Sequence, residues 1–249
     1  MAVTVSAERA AAARAAMVDL FPEGFEEREA DAAVELAAYT ERPDAAALLS
    51  GLGPVHELEV EVGWEDGWRR FHQPVRIGPL WIGPSWEASD PDATAIVVDP
   101  GRAFGTGAHA TTRLCLELLL GLAPAGIADV GCGSGVVAVA AAKLGFAPVV
   151  ALDNDELAVE AATANAAANE VEVDVRLADV LSDPLPTVEI AVANIAREPV
   201  ERIAERFCGE VVVASGYLAE EWPSPRGWQR GERRVAGEWA ADLLVRAEG

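Results

Sequence analysis

Three cysteines, three histidines and 19 lysines plus arginines are few for a chain of 249 residues, and each shortage excludes something. Cys115, Cys132 and Cys208 stand far apart with no CxxC pair. That rules out a disulfide framework or a cysteine-rich zinc site and fits a reducing, cytoplasmic setting. His56, His72 and His109 join no cluster with metal-ligand spacing, so no metal is expected. Long apolar runs are missing as well. Val136 to Ala142 is typical of the longest, far short of the roughly 20 residues a membrane span requires. Glu8, Arg9, Arg14 and Asp19 interrupt the first residues, which therefore lack the core of a secretion signal. The shortage of positive charge excludes most. Against 41 Asp and Glu it leaves a net charge of −22, and phosphate backbones are held by clustered Lys and Arg. Neither direct nucleic-acid binding nor a membrane partner is expected.

What the chain does have is apolar material. Hydrophobic residues make up 51% and charged residues 24%, enough for a packed core and one or two domains. The acid is uneven: residues 1–66 hold 15 Asp and Glu against four Arg, a net of −11. Within this segment Val3 to Val5 reads as a strand and Ser6 as the cap of a helix reaching about Leu20. Residues 26–40 hold further strand material, and Pro43 opens a second helix through Leu49 that Gly51 and Gly53 end. His56 to Val62 alternates Leu58, Val60 and Val62 with Glu57, Glu59 and Glu61, the period of a half-buried strand. That order predicts a small α+β, ferredoxin-like domain over residues 1–62. Residues 63–94, with Trp64, Trp68, Trp81 and Trp86 among four prolines, read as an inter-domain connector that packs rather than floats. Over residues 95–249 near-continuous apolar strands at 127–130, 149–152, 190–193 and 211–214 alternate with helical segments. This is the rhythm of an α/β, Rossmann-like, doubly wound parallel sheet.

In this second region Ile127-Ala-Asp-Val130 runs into Gly131-Cys-Gly-Ser-Gly135, and a helix over Val136 to Leu144 follows. Glycines between strand and helix let a backbone approach a ligand at the edge of a sheet. Asp153 ends the next strand, 18 residues beyond Gly135, where a carboxylate can accept both ribose hydroxyls of an adenosine ligand. Val136 stands where a dinucleotide fingerprint needs its last glycine, and no Lys-Ser/Thr follows, which excludes a phosphate-binding P-loop. A glycine turn can also be a plain connection. Asp129 two residues before the loop, Asp153 in register and Asp179 at a third strand end weigh against that reading. GxGxG with such acidic partners is the pattern of class I S-adenosylmethionine-dependent methyltransferases, whose ligand brings a sulfonium cation rather than a pyrophosphate.

Two further segments narrow the pattern. One is Asp99-Pro-Gly-Arg-Ala-Phe-Gly-Thr-Gly-Ala-His-Ala-Thr-Thr112, directly before an amphipathic helix over Arg113 to Leu122. The other is Asn194-Ile195-Ala196 at the end of a buried strand. The threonines can equally cap the helix, and the asparagine can equally form a turn. Together, however, these phrases resemble the PrmA family of bacterial methyltransferases, which act on ribosomal protein eleven of the large subunit. The resemblance covers residues 60–245, and the amino-terminal region matches only in size and expected topology. It implies that Thr112, Gly131, Asp153 and Asn194 contact S-adenosylmethionine, with Asp129, Gly133, Gly135 and Asn154 in the same set. It further implies that Phe104, Gly105, Thr106 and Gly107 form a loop over it, and that Asp179 and Val180 sit at the adenine. Two positions depart from the family: Ala196 replaces a leucine, which would widen the acceptor pocket, and Ala110 replaces a proline.

Methyl transfer to an amine is an in-line displacement, so alignment supplies much of the rate. Asn194 is the expected catalytic residue, its side-chain carbonyl accepting an N–H of a neutral amine and aiming the lone pair at the methyl. His109 is an alternative proton acceptor. Ser134 lies in no GxSxG elbow, so hydrolase chemistry is not expected. Other readings are methylation of a different protein or a small amine, a non-catalytic binder of the same cofactor, and an NAD oxidoreductase, which Val136 opposes. A basic ribosomal protein is the expected partner and a monomer the expected state. The acid concentrated in residues 1–66 would then steer a cationic protein.

Overall fold

The computed structural model describes residues 2–6, 9–10, 13, 16–17, 26–30, 33–38, 45–56, 73–99 and 109–247. The chain divides into two compact units, Met1–Gly67 and Trp68–Gly249.

The first unit is built on a four-stranded sheet. Strands β1 (Ala2–Ser6), β2 (Glu26–Ala30), β3 (Ala33–Ala37) and β4 (Val55–His56) stand in the order β2-β3-β1-β4, and each neighbouring pair is antiparallel. Helix α1 (Ala45–Ser50) precedes β4. Period-two alternation turns Val3 and Val5 inward, where they meet Met17, Val34, Leu36 and Leu49. Residues 10, 13, 16 and 17 are helical, as expected after Ser6. Most of the acidic strand expected over His56 to Val62 lies outside the described residues, as do Trp64 and Trp68.

The second unit opens with a small sheet inside the stretch read as a connector and just beyond it. Strands β5 (Val75–Ile77), β6 (Leu80–Gly83) and β7 (Thr94–Val97) pair in that order, β5 with β6 antiparallel and β6 with β7 parallel. Ile77, Leu80, Ile82 and Ile96 join the main core of the unit. The principal sheet has seven strands: β8 (Ile127–Val130), β9 (Val149–Asp153), β10 (Asp174–Leu177), β11 (Ile190–Asn194), β12 (Val211–Leu218), β13 (Trp228–Ala236) and β14 (Trp239–Arg246). Its order is β10-β9-β8-β11-β12-β14-β13; the first five strands are parallel and the β13–β14 hairpin closes the far edge antiparallel. The apolar runs read as buried strands are buried, because helices cover the sheet. These helices are α2 (Ala110–Leu119), α3 (Val136–Lys143), α4 (Glu156–Ala168) and α5 (Arg197–Arg206). From β8 the chain steps outward to β9 and β10, then returns to place β11 on the other side of β8. The strand order therefore reverses between β8 and β11, the place where open α/β sheets form a ligand crevice at the carboxyl ends of their strands.

Helix α2 differs from the sequence expectation. It spans Ala110–Leu119 rather than Arg113 to Leu122, because its cap is not a threonine. The Thr111 backbone N–H is directed to His109 Nδ1, while Thr111 and Thr112 sit buried in the first turn. Among the described residues no helix is long and apolar enough to cross a membrane. Cys115 and Cys132 are buried free thiols and Cys208 is exposed.

Candidate active site

The crevice between β8 and β11 gathers the glycine loop, the end of β9 and the end of β11. Gly131, Gly133 and Gly135 all take positive φ (76°, 54° and 74°), a conformation that side chains disfavour. Close approach adds to the requirement. A Cβ on Gly135 would stand 2.8 Å from the Ala162 Cβ, and one on Gly131 would stand 2.9 Å from Ile195 Cγ2. The loop is thus held between α4 and the residue that follows Asn194.

Asp153 binds this loop directly. Its Oδ2 accepts the Gly133 N–H at 2.8 Å and its Oδ1 accepts the Asp155 N–H at 3.1 Å. A carboxylate offers about four lone-pair positions, so acceptor capacity remains for a ribose diol. Asn154 beside it is exposed. At the next strand end Asp179 is exposed and organises its own turn, accepting from Leu181 N–H and Ser182 Oγ–H. Those two hydrogen bonds are the main reason its carboxyl sits below the usual range. Val180 packs against the second core cluster, beneath the same edge.

Asp129 has a different task. It is buried, and its Oδ2 accepts the Ala138 N–H at 3.0 Å. Gly135 caps α3 without a side chain, so a carboxylate from β8 supplies the missing cap at the third helical N–H. Burial pushes its pKa up to about 7; the Ala138 N–H pulls it down and the nearby Asp153 charge adds to the rise. A raised carboxyl pKa means that the folded state binds a proton the unfolded state has lost, so stability from this site falls as pH rises from about 4 through 7. An amide in place of the carboxyl would keep the acceptor and remove the titration. Asp129→Asn should therefore gain stability relative to wild type between pH 5 and pH 8 in denaturant unfolding; an unchanged difference would disprove the assignment. Buried beside Asp129, the Cys115 thiol is pushed up to about 12, first by burial and then by that charge, and stays protonated.

Asn194 ends β11. Its Nδ2 donates to Thr112 Oγ1 at 3.3 Å, and its Oδ1 is buried with no hydrogen-bond partner among the described residues. An unpaired buried carbonyl costs about 1–3 kcal/mol and is uncommon in native proteins. Here the Thr112 contact orients the amide, and the open acceptor lies at the strand-order reversal. His109 caps α2, contacts Thr111 Oγ1 at 2.8 Å and meets the Trp239 ring edge-on with centroids 5.1 Å apart. Those contacts give it a structural role. Phe104, Gly105, Thr106 and Gly107 lie outside the described residues, and only the start and end of their segment are in view. At its start Asp99 accepts from both the backbone N–H and the hydroxyl of Ser85, at 2.7 and 2.9 Å; at its end stands His109. Ala110 is the first residue of α2, a position that accommodates proline and alanine alike.

Two site-supporting residues escape the sequence reading. Asn165 Nδ2 donates to the Ser134 carbonyl in the glycine loop at 2.8 Å. Asn169 exchanges hydrogen bonds with Val97, accepting its N–H at 2.8 Å and donating to its carbonyl at 2.6 Å. Their signal is present in the chain: two amides four residues apart in an alanine-rich helix share one face.

Comparison with known proteins places this arrangement. Residues 5–223 match the family model for ribosomal protein L11 methyltransferase (PrmA). The chain belongs to this family. It is 40% identical over 206 residues to the ribosomal protein L11 methyltransferase of Pseudomonas fluorescens, covering 75% of this chain and 70% of that one. With the Caldicellulosiruptor saccharolyticus protein of the same name it shares 40% identity over 168 residues, 65% of this chain and 56% of the relative. The alignment thus spans little more than half of that relative's length. A crystal structure of ribosomal protein L11 methylase from Lactobacillus delbrueckii subsp. bulgaricus superposes with a TM-score of 0.63 at 30% identity, covering 71% of this chain and all of the other. PrmA membership fits the donors and acceptors in the crevice. Among the described residues, no group of three His, Cys, Asp or Glu side chains is placed to hold a metal ion.

Proposed function

We propose that this protein is an S-adenosylmethionine-dependent methyltransferase of ribosomal protein L11, acting on amino groups of lysine side chains, the N-terminal α-amine, or both. The observation that carries this reading is the buried Asn194 Oδ1, which has no hydrogen-bond partner among the described residues, within a PrmA-family chain. The cofactor supplies an electrophilic methyl on a sulfonium. Asp153 and the loop of Gly131, Gly133 and Gly135 would hold its adenosine and methionine portions, with Asp179 and Val180 toward the adenine. Asp129 acts one layer behind, by holding α3.

The amine must arrive neutral. A lysine near pKa ~10.4 and an α-amine near ~8 are both mostly protonated at neutral pH. Burial against a neighbouring positive charge lowers either value. Once neutral, an N–H donated to Asn194 Oδ1 leaves the nitrogen lone pair free to point at the methyl. No strong base at the site is needed, and His109 Nδ1 is engaged at the cap of α2. Ala196, exposed at the start of α5 where it makes no side-chain cap, leaves room on the acceptor side that a leucine would fill.

The amino-terminal acidic domain is assigned to substrate recognition, and methyl transfer to the second unit, Trp68–Gly249, whose core takes in Ile77, Leu80 and Ile82 from the stretch read as a connector. The antiparallel order β2-β3-β1-β4 of the amino-terminal domain supports a ferredoxin-like topology. Its net of −11 over residues 1–66 suits a basic protein and disfavours nucleic acid. We assign the protein to the cytoplasm as a monomer. The test is mass spectrometry of purified L11 incubated with this protein and labelled S-adenosylmethionine, at low and at moderate salt. Methyl groups should enter L11, with an initial rate that falls as salt rises. Cofactor binding without label in L11 would overturn the substrate, and a flat salt response would overturn the steering.

A further inference from the structure

The turn that carries Asn194 is pressed onto a second structure that the reaction does not itself call for. Strand β12 pairs with β11 in register Asn194↔Ser215, and its pairing with β14 is interrupted by a bulge between Ser215 and Tyr217. The bulge residue, Gly216, has φ 95°, and a Cβ there would stand 2.0 Å from the Ile195 carbonyl oxygen. The backbone of Ile195 therefore rests directly on the bulge.

Both sides of the bulge are tied to β14. Ser215 Oγ donates to the Ala240 carbonyl at 2.8 Å. Tyr217 Oη lies 2.8 Å from Asp242 Oδ2 and 3.0 Å from the Ala214 carbonyl, and its single proton goes to the carboxylate. Burial, and then the Asp242 charge, raise the tyrosine pKa, so the hydroxyl remains a donor. Asp242 is 1% exposed and is paired with Arg233 at 2.9 Å. The other Arg233 nitrogen donates to the carbonyls of Ala219 and Glu221 at 2.6 and 3.0 Å, and its guanidinium lies 3.7 Å from the Trp222 ring centre. Glu221 in turn accepts from Arg197, three residues beyond Asn194, at 3.3 Å.

We propose that Tyr217, Asp242 and Arg233 are positioning residues for methyl transfer, locking the Gly216 bulge and through it the direction of the Asn194 carbonyl. The assignment rests on the reading of Asn194 as the group that aligns the amine. A buried ion pair is weak as a source of stability and better suited to fixing one geometry. Tyr217→Phe keeps the ring and removes only the donor. In single-turnover methylation of L11 at saturating S-adenosylmethionine, this variant should be slower by roughly tenfold, with cofactor Kd within about twofold of wild type.

The decisive comparison is a double-mutant cycle with Asn194→Ala, run well below the unfolding midpoint of each variant. If Tyr217 acts through Asn194, Tyr217→Phe adds no further slowing in the Asn194→Ala background. Equal fold-slowing in both backgrounds, or a wild-type rate for Tyr217→Phe alone, overturns the positioning role while leaving Asn194 in place. A wild-type rate for Asn194→Ala instead removes the reading on which the proposal rests. Asp242→Asn provides the second variant, expected to slow turnover in the same direction as Tyr217→Phe.

Discussion

Asn194→Ala is expected to slow single-turnover methylation of L11 by about 100-fold or more while weakening S-adenosylmethionine binding by less than about tenfold. The separation follows from geometry. In the proposed reading the adenosine end would be served by Asp153, whose carboxylate already grips the glycine loop at 2.8 Å, and by loop N–H groups rather than by Asn194. On the same reading the amine would be aligned by Asn194 Oδ1, the buried acceptor that no described group fills. Removing it costs the bound state little, because the carbonyl was unsatisfied, but removes the contact that orients the lone pair. Misalignment of about 1 Å is enough for a hundredfold loss. The measurement is a rapid-quench time course with enzyme in excess, paired with calorimetric titration of the cofactor. An unchanged rate would mean that another group aligns the amine. A collapse of affinity with an unchanged rate at saturation would make Asn194 a cofactor ligand alone.

What the sequence discloses about this site follows from distance along the chain. The glycine loop, Asp153 and Asn194 lie at the ends of apolar strands, and a parallel sheet brings its strand ends to one edge, so placing the strands places these residues. The roles of single side chains depend on partners far away. Asp129 reads as one more acid near the loop, yet it caps a helix nine residues on. Asn169 reaches Val97 across 72 residues, and Tyr217 reaches Asp242 across 25. No local pattern encodes such pairs. The shift of α2 by three residues has the same origin, since a histidine at a cap position carries less local signal than the two threonines behind it. The stretch read as a connector shows how composition can mislead about form. Its tryptophans and prolines signal packing, but three short strands are what pack, with Trp81 at 6% exposure.

Gly216→Ala should be among the most damaging single-methyl substitutions in the second unit, and Gly145→Ala separates its two causes. Both glycines hold strongly positive φ, 95° and 89°. Forcing an alanine into such a conformation costs about 1–3 kcal/mol wherever it occurs. At Gly145, just past the end of α3, an added Cβ meets nothing within 4 Å, so that conformational cost is all there is. At Gly216 the Cβ would fall 2.0 Å from the Ile195 oxygen, 2.6 Å from its carbonyl carbon and 2.8 Å from its nitrogen. All three are backbone atoms, with no flexible end to swing aside, so either β12 or the Asn194–Ile195 turn must move. An additional ~2 kcal/mol or more is expected, for a total of roughly 3–5 kcal/mol against about 1–3 for Gly145→Ala. At roughly 2–4 °C per kcal/mol for a unit of this size, thermal unfolding should resolve the two variants clearly. The folded fraction of Gly216→Ala should also have lost methylation, whereas Gly145→Ala should turn over at the wild-type rate. Equal destabilisation of the two variants would mean that the contact with Ile195 contributes nothing and that backbone conformation alone selects glycine at the bulge.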